Sequence, residues 1–495
     1  MERSLIEQAR ESAFWANWRL HLTIPSVLGS GENFALRLTA FGPDGLPSAD
    51  FGREIAFQAS PGVEGLPRSV RFDPAGGGHL TVAGLKAVGP NRAWVTAVPE
   101  GCPTKLHSNP AWVFASPPWR IYWGDLHVHT TFSNCWGWAC KDPEFCYAFA
   151  REAAHLDFAA AADHLRGIAS DATRWPRLQQ LARQEETPGK FVPFLAFESS
   201  HKTGFGGDIN AYFRDADGSY FWLERADMRG NNPEVTLREL WNFLDAAGRE
   251  YFTIPHHTGR ADKYRSFADA AYDPRRERLF EIYSWWGSSE ARHTRYPLAG
   301  GNAERPAYFT DALNAGCRYG VIASGDDHLT MPGGEGLIRQ PGGPHQLTNY
   351  VHHGLAAVRA PELSRTTLWT GLKNRSCYGT TFTRALLDFR VGEIQMGCEA
   401  HVSRNDPLRT RRELRVDLLT EAAAPANISL SRNGQEIAQK RWQAAQAAVV
   451  FEDDEPLDAV AIREAPFHPE PFVTYRVRVE SGPQTLWSSP LWLDL

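Results

Sequence analysis

Hydrophobic and polar positions alternate with period two between about Trp15 and Pro118, in short runs broken by Gly and Pro clusters. Ala35-Leu36-Arg37-Leu38-Thr39-Ala40-Phe41 and Ala93-Trp94-Val95-Thr96-Ala97-Val98 are two such runs, and Asp73-Pro74-Ala75-Gly76-Gly77-Gly78 is a turn-rich break. This pattern predicts half-buried strands packed as an all-β sandwich. From about Pro118 to Leu386 the texture changes to apolar strand-like runs followed by helical periodicity. Pro143 to Ala154 reads as an amphipathic helix, and Thr236 to Leu244 as another, with Thr236 as N-cap and Glu239 at its capping-box position. Such alternation predicts a parallel sheet with crossover helices, and about 270 residues suits a (β/α) barrel with insertions. Period-two runs return from about Asp388 to Leu495, with Asn433-Gly434 as a hairpin turn between two of them. The expected layout is an α/β barrel over 119–386 flanked by β-sandwich-like domains over 1–118 and 387–495.

The apolar runs of the central segment end in residues that bind metals. On a strand, residues two apart point to the same side. Arg120-Ile121-Tyr122-Trp123 leads into Gly124-Asp125-Leu126-His127-Val128-His129, so one strand delivers two imidazoles to one place. Phe158 to Ala162 ends in Asp163-His164, and Phe191 to Phe197 ends in Glu198. Tyr251 to Pro255 ends in His256-His257, Leu279 to Ser284 carries Glu281, and Tyr319 to Gly325 ends in Asp326-Asp327-His328. Ligand-type residues at successive strand ends are what a (β/α) barrel gathers into an active site.

This order of motifs resembles the PHP superfamily, named for polymerases and histidinol phosphatases, whose enzymes are metal-dependent phosphoesterases on a distorted (β/α) barrel. The similarity is nearer to the branch of that superfamily catalogued as domain of unknown function 3604. It rests on Tyr122 to His127, Ile254-Pro255-His256, Trp286-Gly287-Ser288-Ser289-Glu290, Gly354 to Val358, Arg375 to Thr381 and the closing Trp487 to Trp492. The resemblance implies His127, His129, His164, Glu198, His256, Asp326 and His328 as metal ligands, with Glu198 bridging. It also implies a water activated by the metal as nucleophile, with Asp163 and His257 beside the ligands as candidate acid/base groups. Glu281, Glu290 and Cys135 are candidates to join the site. Mixed acids and imidazoles suit Mn²⁺, Fe²⁺ or Zn²⁺ better than Mg²⁺ or Ca²⁺, with one to three ions per chain. Two motifs depart from the better-known members. Ser133-Asn134-Cys135 stands where a further His is common, and Ser284-Trp285-Trp286-Gly287 where a further ligand is common.

The expected activity is therefore a metal-dependent hydrolase acting on a phosphoester. Hydrolysis of an amide, lactone or other non-phosphate ester is the alternative, and a non-catalytic binding protein the third reading. Arg166, Lys202, Arg260 and Lys263 follow strand-end motifs and are candidates to receive a substrate anion. Gly204 to Asn210, Met331 to Gly336 and Pro341 to Pro344 are candidates for loops over the site.

Composition narrows the partners. A net charge of −6 gives no basic excess for phosphate-backbone contacts, so no nucleic-acid partner is expected. No run approaches the roughly 18 apolar residues of a membrane helix, so no membrane partner is expected either. Met1 to Gln8 lacks an apolar signal-peptide core, and seven cysteines without repeated spacing do not read as a disulfide framework. The expectation is a cytoplasmic chain with a small-molecule substrate, its oligomeric state left open.

Overall fold

The computed structural model describes residues 18–102, 104–135, 140–201, 203–220, 236–334, 353–381, 383–421 and 425–495. Its N-terminal strands form two four-stranded sheets. One runs Arg19–Thr23, Asn33–Phe41, His79–Ala87, Val63–Glu64, and the other Leu106–His107, Val95–Pro99, Glu54–Ala59, Ser69–Arg71. Alternate residues such as Leu36, Leu38, Ile55, Leu85, Val95 and Ala97 are buried between them and form a core of their own. The period-two pattern read in the sequence is the inward face of these sheets.

The central segment does not form the expected (β/α) barrel. The described residues are 41% strand and 15% helix, with many antiparallel sheets, a fold rich in β-sandwich rather than a helix-ringed barrel. Parallel pairing is confined to a few strands. Arg120–Val128 pairs with Phe158–Ala161, and Phe158–Ala161 with Val192–Ser200, all in parallel. Beyond them the sheet turns antiparallel through Asp208–Phe213 to Tyr251–His256, and on its other side through Gly354–Ala360 to Cys377–Thr381. A second small sheet pairs Leu279–Ser284 with Gly320–Ala323 in parallel.

The reason lies in the connections. A parallel neighbour needs a long crossover, whereas a tight turn makes a hairpin. Gly204 and Gly207, both at positive φ, turn the chain straight back after Ser200, so Gly204 to Asn210 is a hairpin turn entering Asp208–Phe213. Strands buried on both faces read as unbroken apolar runs whichever way they point. Helices do occur at the foreseen places. Pro143–Ala148 continues as a π-helical turn over Phe149–Ala153, and Leu237–Ala246 starts with the reciprocal Thr236–Glu239 capping box.

The sheet runs on from Cys377–Thr381 into Gln484–Ser488, Phe472–Ser481, Ala426–Arg432 and Gln435–Trp442. Asn433 and Gly434 turn the last hairpin, both at positive φ as a type I′ turn requires. A four-stranded sheet of Ile394–Gln395, Leu386–Val391, Arg412–Leu419 and Gln446–Asp453 packs against it. No helix among the described residues is long and apolar enough to cross a membrane.

A histidine cluster joins the N-terminal sheets to the central segment. His155 is 3% exposed, and its two ring nitrogens lie 2.8 Å from the Thr23 hydroxyl and 2.9 Å from the Thr39 hydroxyl. Burial, then the nearby His21 and Arg37, hold His155 well below the ordinary histidine range. In the unfolded chain it titrates near 6.5, so its contribution is present above that pH and lost as acid is added. Between pH 7.5 and 5 the wild type is expected to lose about 2 kcal/mol more stability than His155→Gln. Urea midpoints at the two pH values check this; parallel losses in both proteins contradict it.

Candidate metal centre

The three parallel strands deliver their last side chains to one spot. Arg120–Val128 ends in His127 and His129, Phe158–Ala161 leads into His164 and Val192–Ser200 carries Glu198. The segment after Gly320–Ala323 lies alongside, because the Asp326 N–H donates to the His127 carbonyl at 2.7 Å and the His129 N–H to the Asp327 carbonyl at 2.8 Å. Tyr251–His256 brings His256 in through the hairpin strand. His257 and Asp326 both sit at positive φ, at 51° and 50°. Backbone in that region costs energy in a side-chain-bearing residue and collects at functional sites.

Two buried carboxylates organise the imidazoles. Asp326 is 2% exposed; its Oδ1 lies 3.0 Å from His129 Nε2, 3.4 Å from His127 Nε2 and 3.5 Å from His328 Nε2, and its Oδ2 lies 3.0 Å from His257 Nε2. Glu198 faces the other side, with Oε1 at 3.2 Å from His256 Nε2 and Oε2 at 2.6 Å from His164 Nδ1 and 3.4 Å from His129 Nε2. Burial pushes both acids up, but the surrounding histidines overcome it and hold each well below the usual carboxylate range. His127 is held well above the ordinary histidine value by Asp326 and Glu281 against its burial, whereas burial, His328 and His164 drive His129 well below it.

These residues fit a transition-metal ion. His127 Nε2 is a buried atom with no hydrogen bond of good geometry, although the oxygens of Asp326 and Glu198 lie 3.4 and 3.8 Å from it. Ligand atoms of His127, His129 and Glu198 lie within 4.8 Å of one another, as do those of His127, His256 and Asp326, and those of His129, Asp326 and His328. Nitrogen and oxygen donors in this mixture suit Zn²⁺, Mn²⁺ or Fe²⁺. All seven ligand candidates thus converge. His164, with 18% of its side chain exposed, is the one nearest solvent.

Partner groups fix the ring orientations. Glu281 Oε2 lies 3.1 Å from His127 Nδ1, which turns Nε2 toward the two carboxylates. The Ser133 hydroxyl lies 2.8 Å from His129 Nδ1 and donates to Asp163 at 2.6 Å. Asp163 also accepts from the Thr130 N–H and hydroxyl, so its acceptor capacity is spent on the loop after His129 rather than turned to the cavity. Such supporting contacts tune affinity by about 10–100-fold. Glu281→Gln is accordingly expected to weaken ion binding about tenfold or more while the fold persists, measured by competition with a fluorescent chelator. Unchanged affinity would assign Glu281 no orienting role.

A cavity of about 260 Å³ opens over the cluster, lined by Cys135, Asp208, Lys263, Arg166, Arg260 and Trp286 together with several of the ligand candidates. Arg260 stacks on Trp286 at 5.5 Å and pairs with Asp262 at 3.1 Å, and Lys263 pairs with the buried Asp208 at 2.9 Å. Cys135 Sγ lies 3.2 Å from His328 Nδ1 and can complete a group with His129 and His164. Lys202 lies outside the described residues, as do Pro341 to Pro344. Glu290 is elsewhere; it is buried against Arg476 at 2.5 Å and the Trp487 indole N–H at 2.8 Å, where it anchors the C-terminal strands.

Sequence reasoning missed Asp208, whose carboxylate groups with His256 and His257. Its signal was the short Gly-rich turn, which makes the next strand return beside Glu198 and sets Asp208 opposite His256. No family model matches the chain. It is 24% identical over 395 residues to an uncharacterized protein of Chlamydia pneumoniae, covering 78% of this chain and 60% of that one. It is 28% identical to an uncharacterized protein of Chlamydia trachomatis, over 51% of this chain and 40% of the relative. The chain therefore spans about 60% or less of the length of these relatives. Among solved structures, latent PorU of Porphyromonas gingivalis aligns over 97% of this chain and 34% of its own at 10% identity and a TM-score of 0.14, too low to carry a fold argument.

Proposed function

We propose that the chain is a metal-dependent hydrolase of the PHP type that cleaves a phosphoester in a small-molecule substrate. The observation that carries this reading is the pairing of two buried carboxylates, Glu198 and Asp326, with imidazoles whose donor atoms converge beneath a cation-rimmed cavity. A divalent transition-metal ion held by these residues supplies, when bound, Lewis acidity and an acidified water. Glu198 and Asp326 provide the negative charge that holds it, and Glu281 and Ser133 aim His127 and His129. Arg166, Arg260 and Lys263 bind and orient the substrate anion at the cavity wall, which favours a phosphoester over a neutral amide or lactone. Trp286 forms part of the cavity wall. His257 holds a proton at Nε2 against Asp326 and, facing the same cavity, is placed to pass it to a leaving group. With all seven cysteines free, the chain suits the reducing conditions of a cytoplasm.

The test is a substrate panel of phosphomonoesters, phosphodiesters, amides and lactones, with Mn²⁺, Fe²⁺ or Zn²⁺ added and with EDTA. Release of inorganic phosphate or a phosphomonoester that EDTA abolishes is the expected result. Turnover confined to amides or lactones would overturn the phosphoester assignment, and no turnover by the metal-loaded chain would favour a binding protein.

A further inference from the structure

A second cavity, of about 640 Å³, lies where the N-terminal strands meet the start of Arg120–Val128. It is at the opposite end of that strand from the metal centre, because the seven steps from Arg120 to His127 span about 23 Å of extended chain. Arg37, Arg120, Arg151, Lys190 and Arg384 line it, against the two acids Glu32 and Asp157. Arg120 is neutralised by Glu32 through bonds of 2.9 and 3.0 Å, and Arg151 by Glu185 and Glu152. Asp157 accepts the Trp123 N–H at 2.7 Å, and burial pushes its carboxyl up to about 6.

Arg37 and Arg384 make no close side-chain ion pair among the described residues, although Asp157 acts on both of them. Arg37 donates to the Arg151 carbonyl, and Arg384, 6% exposed, donates to the carbonyls of Ala154 and His155 at 2.8 and 2.9 Å. Burial, opposed by Asp157 and reinforced by Arg37, lowers the Arg384 guanidinium to about 10. Five cations line this cavity against two acids, an excess of positive charge that is costly where it is partly buried and that an anion offsets. Lys190 is exposed at the rim. Ile24, Tyr122, Trp123 and Leu363 form the less charged part of the wall, and the cavity exceeds what one phosphate fills.

We propose that this cavity binds the phosphate group of a small phosphorylated molecule, held by Arg37, Arg384 and Lys190, as a site separate from the metal centre. Forked arginine donors from two directions match tetrahedral phosphate oxygens better than a single carboxylate. The organic part of the ligand packs on Tyr122 and Leu363.

Calorimetric titration with inorganic phosphate and with glucose 6-phosphate tests this, in the wild type and in Asp326→Asn, which takes the ion from the metal centre; any capture by the cations of that cavity is told apart because Arg37→Gln and Lys190→Ala leave it unchanged. Binding should persist in Asp326→Asn, be tighter for glucose 6-phosphate, and weaken about tenfold or more in Arg37→Gln and in Lys190→Ala, the loss of one charge-assisted bond each. Arg384 and Arg37 also brace backbone carbonyls, so Lys190→Ala, at an exposed position, keeps the test independent of folding. No binding to Asp326→Asn, or equal affinities in Arg37→Gln, Lys190→Ala and the parent, would overturn the site. Equal affinity for the two probes would overturn the assignment of an organic part.

Discussion

Asp326→Asn is expected to strip the histidine cluster of its ion and lower turnover by more than about 10²-fold, while the fold survives. The substitution keeps the shape of the side chain and removes its charge. That charge lies within 3.5 Å of four imidazoles, those of His127, His129, His257 and His328. Changes to groups that only support a ligand already cost 10–100-fold in affinity, so a ligand at the centre costs more. The wild type and the variant should show matching circular dichroism and different metal content by elemental mass spectrometry. Equal metal content in both would remove Asp326 from the ligand set.

Glu198→Gln is expected to reduce turnover by about 10²–10³-fold, the range for loss of one strong electrostatic contact in a transition state. The two oxygens of Glu198 face different imidazoles, Oε1 toward His256 and Oε2 toward His164 and His129. A carboxylate so placed can serve two ions at once, and an amide of the same size cannot, because one of its ends is a donor. The readout is the turnover rate at saturating substrate and metal. Near-normal turnover would rule out Glu198 as a bridge.

Most of the candidate site was legible because it depends on local geometry. Period two puts His127 and His129 on one side of a strand, and their rings stand 5.1 Å apart. Asp326 and His328 lie just past Gly320–Ala323, with Asp326 at positive φ, so what places them is that an acid or imidazole at the end of an apolar run falls at a strand's end whatever its neighbours are. The sheet topology was not legible, and the expected barrel was wrong. Val192–Ser200 and Tyr251–His256 are buried apolar runs that would read the same in a parallel or an antiparallel sheet, and the glycines at 204 and 207 decided the matter. Glu281 and Glu290 show the other limit. Both are buried acids near the end of the same stretch, yet one supports His127 and the other meets Arg476 from far along the chain. No local pattern distinguishes those partners. Asp208 was hidden for the same reason, since its place beside His256 follows from the hairpin.

The most direct test of a metal-dependent centre is the transition-metal content of the wild-type chain, measured by elemental mass spectrometry after purification without added metal or chelator. At least one Mn, Fe or Zn ion per chain is the predicted result. An empty chain that none of these ions refills would contradict the account.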